Sequence, residues 1–168
     1  MKNIMKPFIS KAGKRLATIV LFSSVFAPAS LPTTYAAVQS QLKIGDSYGG
    51  GKIAYIFSQK ERGYVAGQTH GLIAAKNDLG FSDTWAKTVK ACKDYRVGGF
   101  SDWHLPNKEE LNRLYVNRMA IGGFKEHHYY WSSSESDRND AWDQSFRTGS
   151  RNLGYKFDTE YARPVRRF

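Results

Sequence analysis

The most prominent candidate chemistry in this chain is anion binding by basic side chains near its C-terminal end. Residues 138–168 contain seven bases and four acids, and six of the seven bases are arginine. A guanidinium group can bind sulfate, phosphate or carboxylate through two parallel N–H donors. Arg163 and Arg166 can equally be fold residues that pair with acids at the edge of the core. The other five bases are the predicted ligand-binding residues, three in a turn region that we expect to be exposed and two at its rim: Arg147, Arg151 and Lys156, then Arg138 and Arg167.

Side chains that commonly carry catalysis are few and unsuitably spaced. Glu109 and Glu110 are neighbours on a predicted helix, so they cannot face one bond together as a glycosidase pair does. The serine run 132–134 has no nucleophile-elbow sequence around it, and turn or strand-edge structure explains it better. We therefore predict no catalytic residue and no enzyme activity.

Patterns for metal or cofactor binding are also weak. His127 and His128 are adjacent and would point to opposite faces of a strand, and a single cysteine cannot form a cysteine-based zinc site. Four oxygen-bearing residues lie close together in one predicted loop: Asp137, Asn139, Asp140 and Asp143. Such oxygens can coordinate calcium, but a solvated acidic loop explains them as well. We predict no metal ligands and no cofactor.

Several remaining residues have a structural and a chemical interpretation. Cys92 lies on the apolar stripe of a predicted helix, which favours a buried thiol, with a bond between two chains as the alternative. Trp103, Trp131 and Trp142 are predicted to pack in the core, with stacking on a sugar ring as the alternative. Asp102 is predicted to accept backbone N–H bonds in a tight turn.

The elements that must position these residues follow an α+β order. Alternation and breakers predict strands over 52–57 and within 64–75, helices over 84–96 and after residue 107, and strands over 129–133, 141–146 and 161–165. Asp83 is a suitable N-cap for the first helix. Asn107 and Glu110 have capping-box spacing at the start of the second. The predicted order is a hairpin, two helices and an antiparallel meander.

The first 36 residues have the pattern of a secretory signal peptide. Five bases and no acid precede the apolar run 16–27, and the small-x-small sequence that ends at Ala36 provides a cleavage site. An uncleaved anchor is the alternative. We therefore predict a signal peptide over residues 1–36, a lead-in over 37–48, one domain over 49–168, and export to the periplasm, cell surface or medium.

Composition and charge limit the classes of protein. Hydrophobic residues make up 41% of the 168 residues, aromatic residues 14% and charged residues 24%, which is a globular and not a disordered composition. One cysteine excludes a disulfide scaffold, and no apolar run is long enough for a stable membrane span. Because five of the 25 bases and none of the 15 acids precede residue 37, the formal charge falls from +10 to +5 without the predicted signal peptide.

A series of short motifs carries a family resemblance. Residues 98–106 read GGFSDWHLP, residues 130–135 read YWSSSE, residues 141–142 are AW and residues 163–166 read RPVR. In this order the motifs resemble a bacterial domain of unknown function that is also called the Legionella collagen-like protein C-terminal domain. The resemblance extends over about residues 49–168.

The resemblance implies a C-type-lectin-like fold, with an antiparallel sheet and two helices, in an exported or surface protein. It also implies binding of sulfated glycosaminoglycans and assembly as a trimer, as in the namesake adhesin. Three features depart from the pattern. His104 replaces the usual arginine, Pro164 occupies the position of a second cysteine, and the collagen-like stalk is missing.

Three classes of function remain at this point. The first is a lectin-like module or adhesin that binds an acidic or sulfated polysaccharide. The second is a cell-envelope structural or interaction protein that binds peptidoglycan, lipopolysaccharide or a protein partner. The third is an enzyme, for which we find no catalytic constellation. Export makes nucleic acid a poor candidate partner, so none is predicted.

Overall fold

Two antiparallel sheets form the framework of the domain. The computed structural model describes residues 42–80 and 84–168. The first sheet has the order β1-β2-β3-β7, formed by β1 (Ser47–Tyr48), β2 (Gly51–Ile56), β3 (Gly71–Ala74) and β7 (Val165–Arg167). The second sheet has the order β4-β5-β6, formed by β4 (Tyr129–Glu135), β5 (Asp140–Ser145) and β6 (Arg151–Tyr155).

Strand β3 is the centre of the first sheet. All four of its residues are buried, and it pairs with β2 on one side and with β7 on the other. Gly71 begins the strand where the backbones approach closely, because a Cβ at this position would lie 2.1 Å from the carbonyl oxygen of Tyr55. A side chain here would therefore push β2 and β3 apart.

Three short helices lie between the two groups of strands in the sequence: α1 (Trp85–Asp94), α2 (Lys108–Val116) and α3 (Arg118–Ile121). The capping box of α2 is confirmed. The Asn107 side chain accepts hydrogen bonds from the backbone N–H groups of Glu109 and Glu110, and the Glu110 carboxylate accepts one from the Asn107 N–H. Thr84 occupies the cap position of α1. Asp83, the predicted cap, lies outside the described residues.

The main core lies between the two sheets and α2. Leu72 and Val165 from the first sheet share one buried cluster with Leu111 of α2 and with Tyr130 and Phe146 from the second sheet and its following turn. A second cluster contains Cys92 and Trp131, and a third contains Trp103. Trp103 and Trp131 are thus core residues, as predicted, while Trp142 is half-buried.

Two expectations about the strands are wrong. Residues 151–155 form strand β6, where we expected an exposed turn region. Residues 161–165 do not form the third strand of a meander. Tyr161 pairs with β4 of the second sheet, and the chain then crosses to the first sheet, where Val165 pairs with β3. The C-terminal segment therefore joins the two sheets.

The α+β class is confirmed by this mixture of antiparallel sheets and short helices. Among the described residues, no helix has the length and apolar character that crossing a membrane requires.

Candidate functional site

Arg163 is a structural residue buried where the C-terminal segment crosses between the sheets. Its side chain is fully buried, and its Nε donates to Asp78 Oδ1 at 2.6 Å. The guanidinium group also donates to the carbonyl oxygens of Ala75, at 3.0 Å, and Gly123, at 2.8 Å. Asp78 in turn accepts a 2.7 Å hydrogen bond from the Tyr130 hydroxyl of the second sheet.

Arg166 is also held by the fold. It donates from Nε and Nη2 to the two carboxylate oxygens of Asp102, at 2.8 and 3.1 Å, and it lies over the Phe100 ring at 3.7 Å from the centroid. The Arg166 hydrogen bonds lower the pKa of Asp102 despite partial burial. The motif residue Asp102 thus binds a side chain of β7, and not mainly a turn backbone as expected. The interpretation of Arg163 and Arg166 as fold residues is confirmed.

The buried Glu110 carboxylate accepts hydrogen bonds from three different residues. Its side chain is 4% exposed, and it accepts hydrogen bonds from Arg167 Nη2 at 2.8 Å, His104 Nε2 at 3.2 Å and the Asn107 N–H at 3.1 Å. Burial alone would raise the pKa of Glu110, but these hydrogen bonds outweigh burial and lower it to about 2. His104, which departs from the family pattern, therefore still contacts this carboxylate.

The five predicted ligand-binding bases do not come together in one patch. Arg147 and Arg151 lie at one end of the β5–β6 hairpin, because Gln144 pairs with Arg151 there. Lys156 lies just beyond the other end, where Asp140 pairs with Tyr155. Arg138 lies in the β4–β5 turn at that same end, and Arg167 belongs to β7 of the other sheet.

Three of these five bases have acidic partners. Arg151 pairs with Glu109 at 3.1 Å, and Arg167 pairs with Glu110. Lys156 is only 11% exposed, and its Nζ contacts Glu135 Oε2 and the Asp137 carbonyl oxygen, both at 2.6 Å. Lys156 therefore fixes the β4–β5 turn. Arg138 and Arg147 are exposed, and neither forms an ion pair within the described ranges.

The structure shows a concentrated basic surface that the sequence analysis missed. Four exposed bases occur at every third position, three of them within α1 and the fourth just beyond its C-cap: Lys87, Lys90, Lys93 and Arg96. We call these four residues the basic strip. Asp94, the single acid between residues 87 and 96, pairs with Lys90. The spacing could have been noticed in the sequence, because it places Lys87, Lys90 and Lys93 on the half of the helix opposite buried Thr88 and Cys92. Arg96 follows beyond the helix end.

A second charged feature is a groove of about 410 Å³ beside the β5–β6 hairpin. We call it the acidic groove. Its lining includes four acids, one amide and two exposed aromatic rings: Asp140, Asp143, Asp158, Glu160, Asn152, Tyr129 and Tyr155. Asp143 is 3% exposed and accepts a hydrogen bond from Asn152 Nδ2 at 3.2 Å.

Asp143 and Glu160 form a carboxyl pair in the wall of this groove. Burial raises the pKa of Asp143, and burial together with the Asp143 charge raises the pKa of Glu160 to about 9. Glu160 is therefore protonated at neutral pH and donates a hydrogen bond to Asp143.

The loop considered for calcium is organised by its own backbone. Asp137 Oδ1 accepts hydrogen bonds from the N–H groups of Asn139 and Asp140, at 2.7 and 2.9 Å, which is an Asx-turn arrangement. Across residues 42–80 and 84–168, no group of three or more His, Cys, Asp or Glu side chains is placed to hold a metal ion.

Cys92 is fully buried, and burial raises the pKa of its thiol to about 12. The thiol is therefore protonated and shielded, which agrees with the predicted structural role. A disulfide between two folded chains would require α1 to leave the core.

Two antiparallel sheets, joined by a C-terminal segment with buried arginines, define a small α+β domain whose basic strip and acidic groove are open to solvent. The chain belongs to the Lcl C-terminal domain family, which matches residues 63–166. This range contains the four motifs that carried the resemblance. No curated protein matches the chain.

Proposed function

We propose that this protein is an exported, non-catalytic binding module that recognises an acidic or sulfated polysaccharide. The observation that carries the proposal is the basic strip, where four exposed bases face solvent with one intervening acid. Membership of the Lcl C-terminal domain family supports the general class of function. The basic strip replaces the scattered set of five bases as the main proposed contact surface.

The geometry of the basic strip suits an extended polyanion. At a rise of about 1.5 Å per residue, the helical part of the strip from Lys87 to Lys93 spans roughly 9 Å, so it can meet more than one acidic group of a chain. Each exposed contact contributes little by itself. Useful affinity would therefore come from several contacts and from several copies of the domain, such as the trimer that the resemblance implies.

We further propose that the domain has a C-type-lectin-like fold and acts outside the cytoplasm. The two antiparallel sheets with flanking helices support the first point. The signal-peptide pattern of residues 1–36, which lie outside the described residues, supports the second. The proposed absence of catalysis rests on the sequence, in which Glu109 and Glu110 cannot face one bond together and the serine run 132–134 has no nucleophile-elbow sequence.

Heparin affinity tests the proposal. We expect wild-type protein to be retained at low salt and to elute as salt screens the contacts. A variant with Lys90→Gln, Lys93→Gln and Arg96→Gln should elute at clearly lower salt. The matched control changes three exposed bases elsewhere to Gln, namely Lys43, Lys60 and Arg62.

A third variant distinguishes the basic strip from the bases that the sequence predicted. Arg138→Gln, Arg147→Gln and Arg151→Gln should lower the eluting salt less than the strip variant does. No retention of wild type at low salt would refute the proposal. An equal shift for the strip variant and the Lys43/Lys60/Arg62 control would show that only net charge matters.

A second candidate function is binding of a protein partner in the cell envelope. Val116 at the end of α2 and Met119 in α3 are 63% and 77% exposed, which is unusual for large apolar side chains on neighbouring helices. Under this alternative, Val116→Asp with Met119→Asp should abolish a stoichiometric complex in envelope extracts and leave heparin retention unchanged. Loss of heparin retention in this variant would argue against two separate surfaces.

A further inference from the structure

The outer edge of strand β6 is open, whereas the other sheet edges are short or bonded to neighbouring segments. β1 has only two residues, Val165 at the start of β7 exchanges two hydrogen bonds with His104, and Tyr161 bonds to the backbone of β4. Strand β6 is an outer strand of its sheet, and no strand pairs with its outer side in the part of the chain that the structure describes. An open strand edge is a template for pairing with another chain.

Backbone alternation shows which groups of β6 face this open edge. The Ser150 carbonyl oxygen accepts from the Ser145 N–H, and the Lys156 N–H donates to the Asn139 carbonyl oxygen, both at 2.9 Å. These even-numbered residues therefore direct their backbone groups towards the β5 side. Because the groups alternate between the two sides of an antiparallel strand, the odd-numbered residues of β6 direct theirs away from β5.

The unpaired backbone groups belong to Arg151 and Leu153. At the next outward-facing residue, the Tyr155 carbonyl oxygen already accepts a hydrogen bond from the Asp158 N–H at 2.7 Å. The N–H and C=O groups of Arg151 and Leu153 have no backbone partner among the described residues. In an antiparallel pairing of two copies, Arg151 of each copy can lie opposite Leu153 of the other and exchange both hydrogen bonds with it.

Large hydrophobic side chains are exposed along the same strand. Leu153 and Tyr155 are 51% and 48% exposed, and they point to the same face of the strand because they lie two positions apart. Phe157 is 70% exposed, and its ring centroid lies 5.2 Å from that of Tyr155. Contiguous exposed hydrophobic surface marks sites of association. The open edge therefore has both unpaired backbone groups and apolar surface beside them.

The two ends of β6 carry charges of opposite sign. Arg147 lies in the turn before β6 and Asp158 in the turn after it, and both side chains are exposed and form no ion pair within the described ranges. Pairing about a two-fold axis places the beginning of one β6 strand beside the end of the other. Each Arg147 then approaches Asp158 of the other copy, so the attraction occurs twice. This complementarity favours a second copy of this chain over an unrelated strand.

We propose that two copies of this protein pair through their β6 edges, antiparallel, about a two-fold axis near Asn152. The two three-stranded sheets then form one continuous sheet. Leu153 of each copy packs against the apolar stem of Arg151 opposite it. The pairing is independent of the polysaccharide proposal, and it gives a dimer, whereas the family resemblance implies a trimer.

Exchange of the two charges tests the arrangement. Sedimentation velocity over a concentration series up to about 100 µM measures the fraction of dimer, which we expect for the wild-type protein. Arg147→Asp and Asp158→Arg should each weaken dimerisation about tenfold or more, because two attractive contacts become two repulsive ones. An equimolar mixture of these two variants should recover dimerisation, because both contacts are attractive again in the mixed dimer.

Two control variants make the same charge changes elsewhere. Lys60→Asp and Glu126→Arg alter exposed side chains that lie outside β6 and the turns on either side of it, and they should leave dimerisation unchanged. Thermal unfolding of each variant checks that the fold is retained.

Amide hydrogen exchange tests the backbone pairing separately. In wild type, exchange at Arg151 and Leu153 should slow as protein concentration rises through the range in which the dimer forms, while exchange in β3 stays constant. In the Arg147→Asp variant, the same two amides should remain fast in exchange at concentrations where wild type protects them.

Several results would overturn the proposal. A wild-type monomer at every concentration would exclude the pairing, and a trimer that Arg147→Asp and Asp158→Arg leave intact would show that copies associate elsewhere. Failure of the mixed variants to dimerise would exclude the contact between Arg147 and Asp158. Equal weakening by the two control variants would show that net charge alone governs association.

Discussion

The shared proton of Asp143 and Glu160 is the most unusual feature at the scale of single residues. When a buried and a partly buried carboxyl group share a hydrogen bond, ionising both costs free energy, so one of them keeps its proton. The pKa of Glu160 is raised to about 9, whereas in the unfolded chain this group ionises near 4.5. The folded state therefore binds more protons than the unfolded state between these two pH values.

This difference predicts that the stabilising contribution of the pair decreases as pH rises. The stabilisation is complete below about pH 4.5 and is lost as pH rises towards 9, because the unfolded chain releases the proton first. Glu160→Gln keeps the hydrogen bond to Asp143 without a titrating proton. Urea unfolding should show that this variant gains stability relative to wild type between pH 5 and 9. Parallel pH profiles for the two proteins would contradict the prediction.

The pKa of Glu110 is shifted in the opposite direction from that of Glu160. Its pKa is lowered to about 2, so the stabilisation from its ionised form is complete above about pH 4.5 and is lost as pH falls towards 2. A shift of this size corresponds to a contribution on the order of 3 kcal/mol at neutral pH. Glu110→Gln should therefore destabilise the domain at pH 7, and the difference should shrink in urea unfolding below pH 4.5. A difference that is constant between pH 7 and pH 3 would exclude this explanation.

Single residues were predicted well where the local sequence decides their role. Asn107 and Glu110 were recognised because both partners of a capping box lie within four positions. Arg151 and Arg167 could not be assigned in this way. Their acidic partners lie 42 and 57 positions away, and only the folded chain brings those partners close.

At the scale of elements, Lys156 joins three segments. Its ammonium group binds the β4–β5 turn at Glu135 and Asp137 and lies 4.9 Å from the centroid of the Trp85 ring at the start of α1. The Lys156 carbonyl oxygen also accepts the Trp85 N–H at 3.0 Å. One side chain thus connects the end of β6, the turn before β5 and the first residue of the helix that carries the basic strip.

Removal of this ammonium group should loosen the turn and the helix start. For Lys156→Met, which retains the apolar stem, we expect faster amide hydrogen exchange in residues 136–139 and 85–88 than in wild type, with no change in β3. Arg147→Met, which changes an exposed base in the opposite turn, is the control. Exchange that increases uniformly over the domain would contradict a local role for Lys156.

Some strands were predicted correctly from the sequence and others were not, and the difference has a physical cause. Strands β2, β4 and β5 were found because they carry β-branched or aromatic residues. Strand β6 reads RNLGY, which has little intrinsic strand preference, and pairing with β5 creates it. Strand β7 begins four residues and ends two residues later than the strand that we predicted over 161–165. The reason is that residues 162–164 cross from the second sheet to the first.

At the scale of the whole molecule, the Asp78–Arg163 pair connects the two sheets. Asp78 follows β3, Arg163 precedes β7, and the Tyr130 hydroxyl of β4 donates to the same carboxylate. All three groups are buried or nearly so, with the Arg163 side chain at 0% exposure and the Asp78 side chain at 7%. Each group therefore depends on the others for its hydrogen bonds.

Asp78→Ala should be severely destabilising because it leaves a buried guanidinium group and a buried hydroxyl without their acceptor. Breaking a buried pair in this way typically costs about 3–5 kcal/mol. The measurement is the free energy of unfolding in urea. Asp94→Ala, which removes the acid of an exposed ion pair on α1, should change the stability little. Similar losses for the two variants would show that burial of the Asp78–Arg163 pair is not what matters.

The crossing segment also determines when the fold can form during translation. The carboxylate partners of Arg163, Arg166 and Arg167 lie 57 or more positions earlier, so the two sheets cannot be joined until this segment has been synthesised. Until then, the two sheets of the nascent chain stay unjoined. If residues 1–36 direct secretion as predicted, this delay would deliver to the translocation pore a polypeptide that is still able to thread through it.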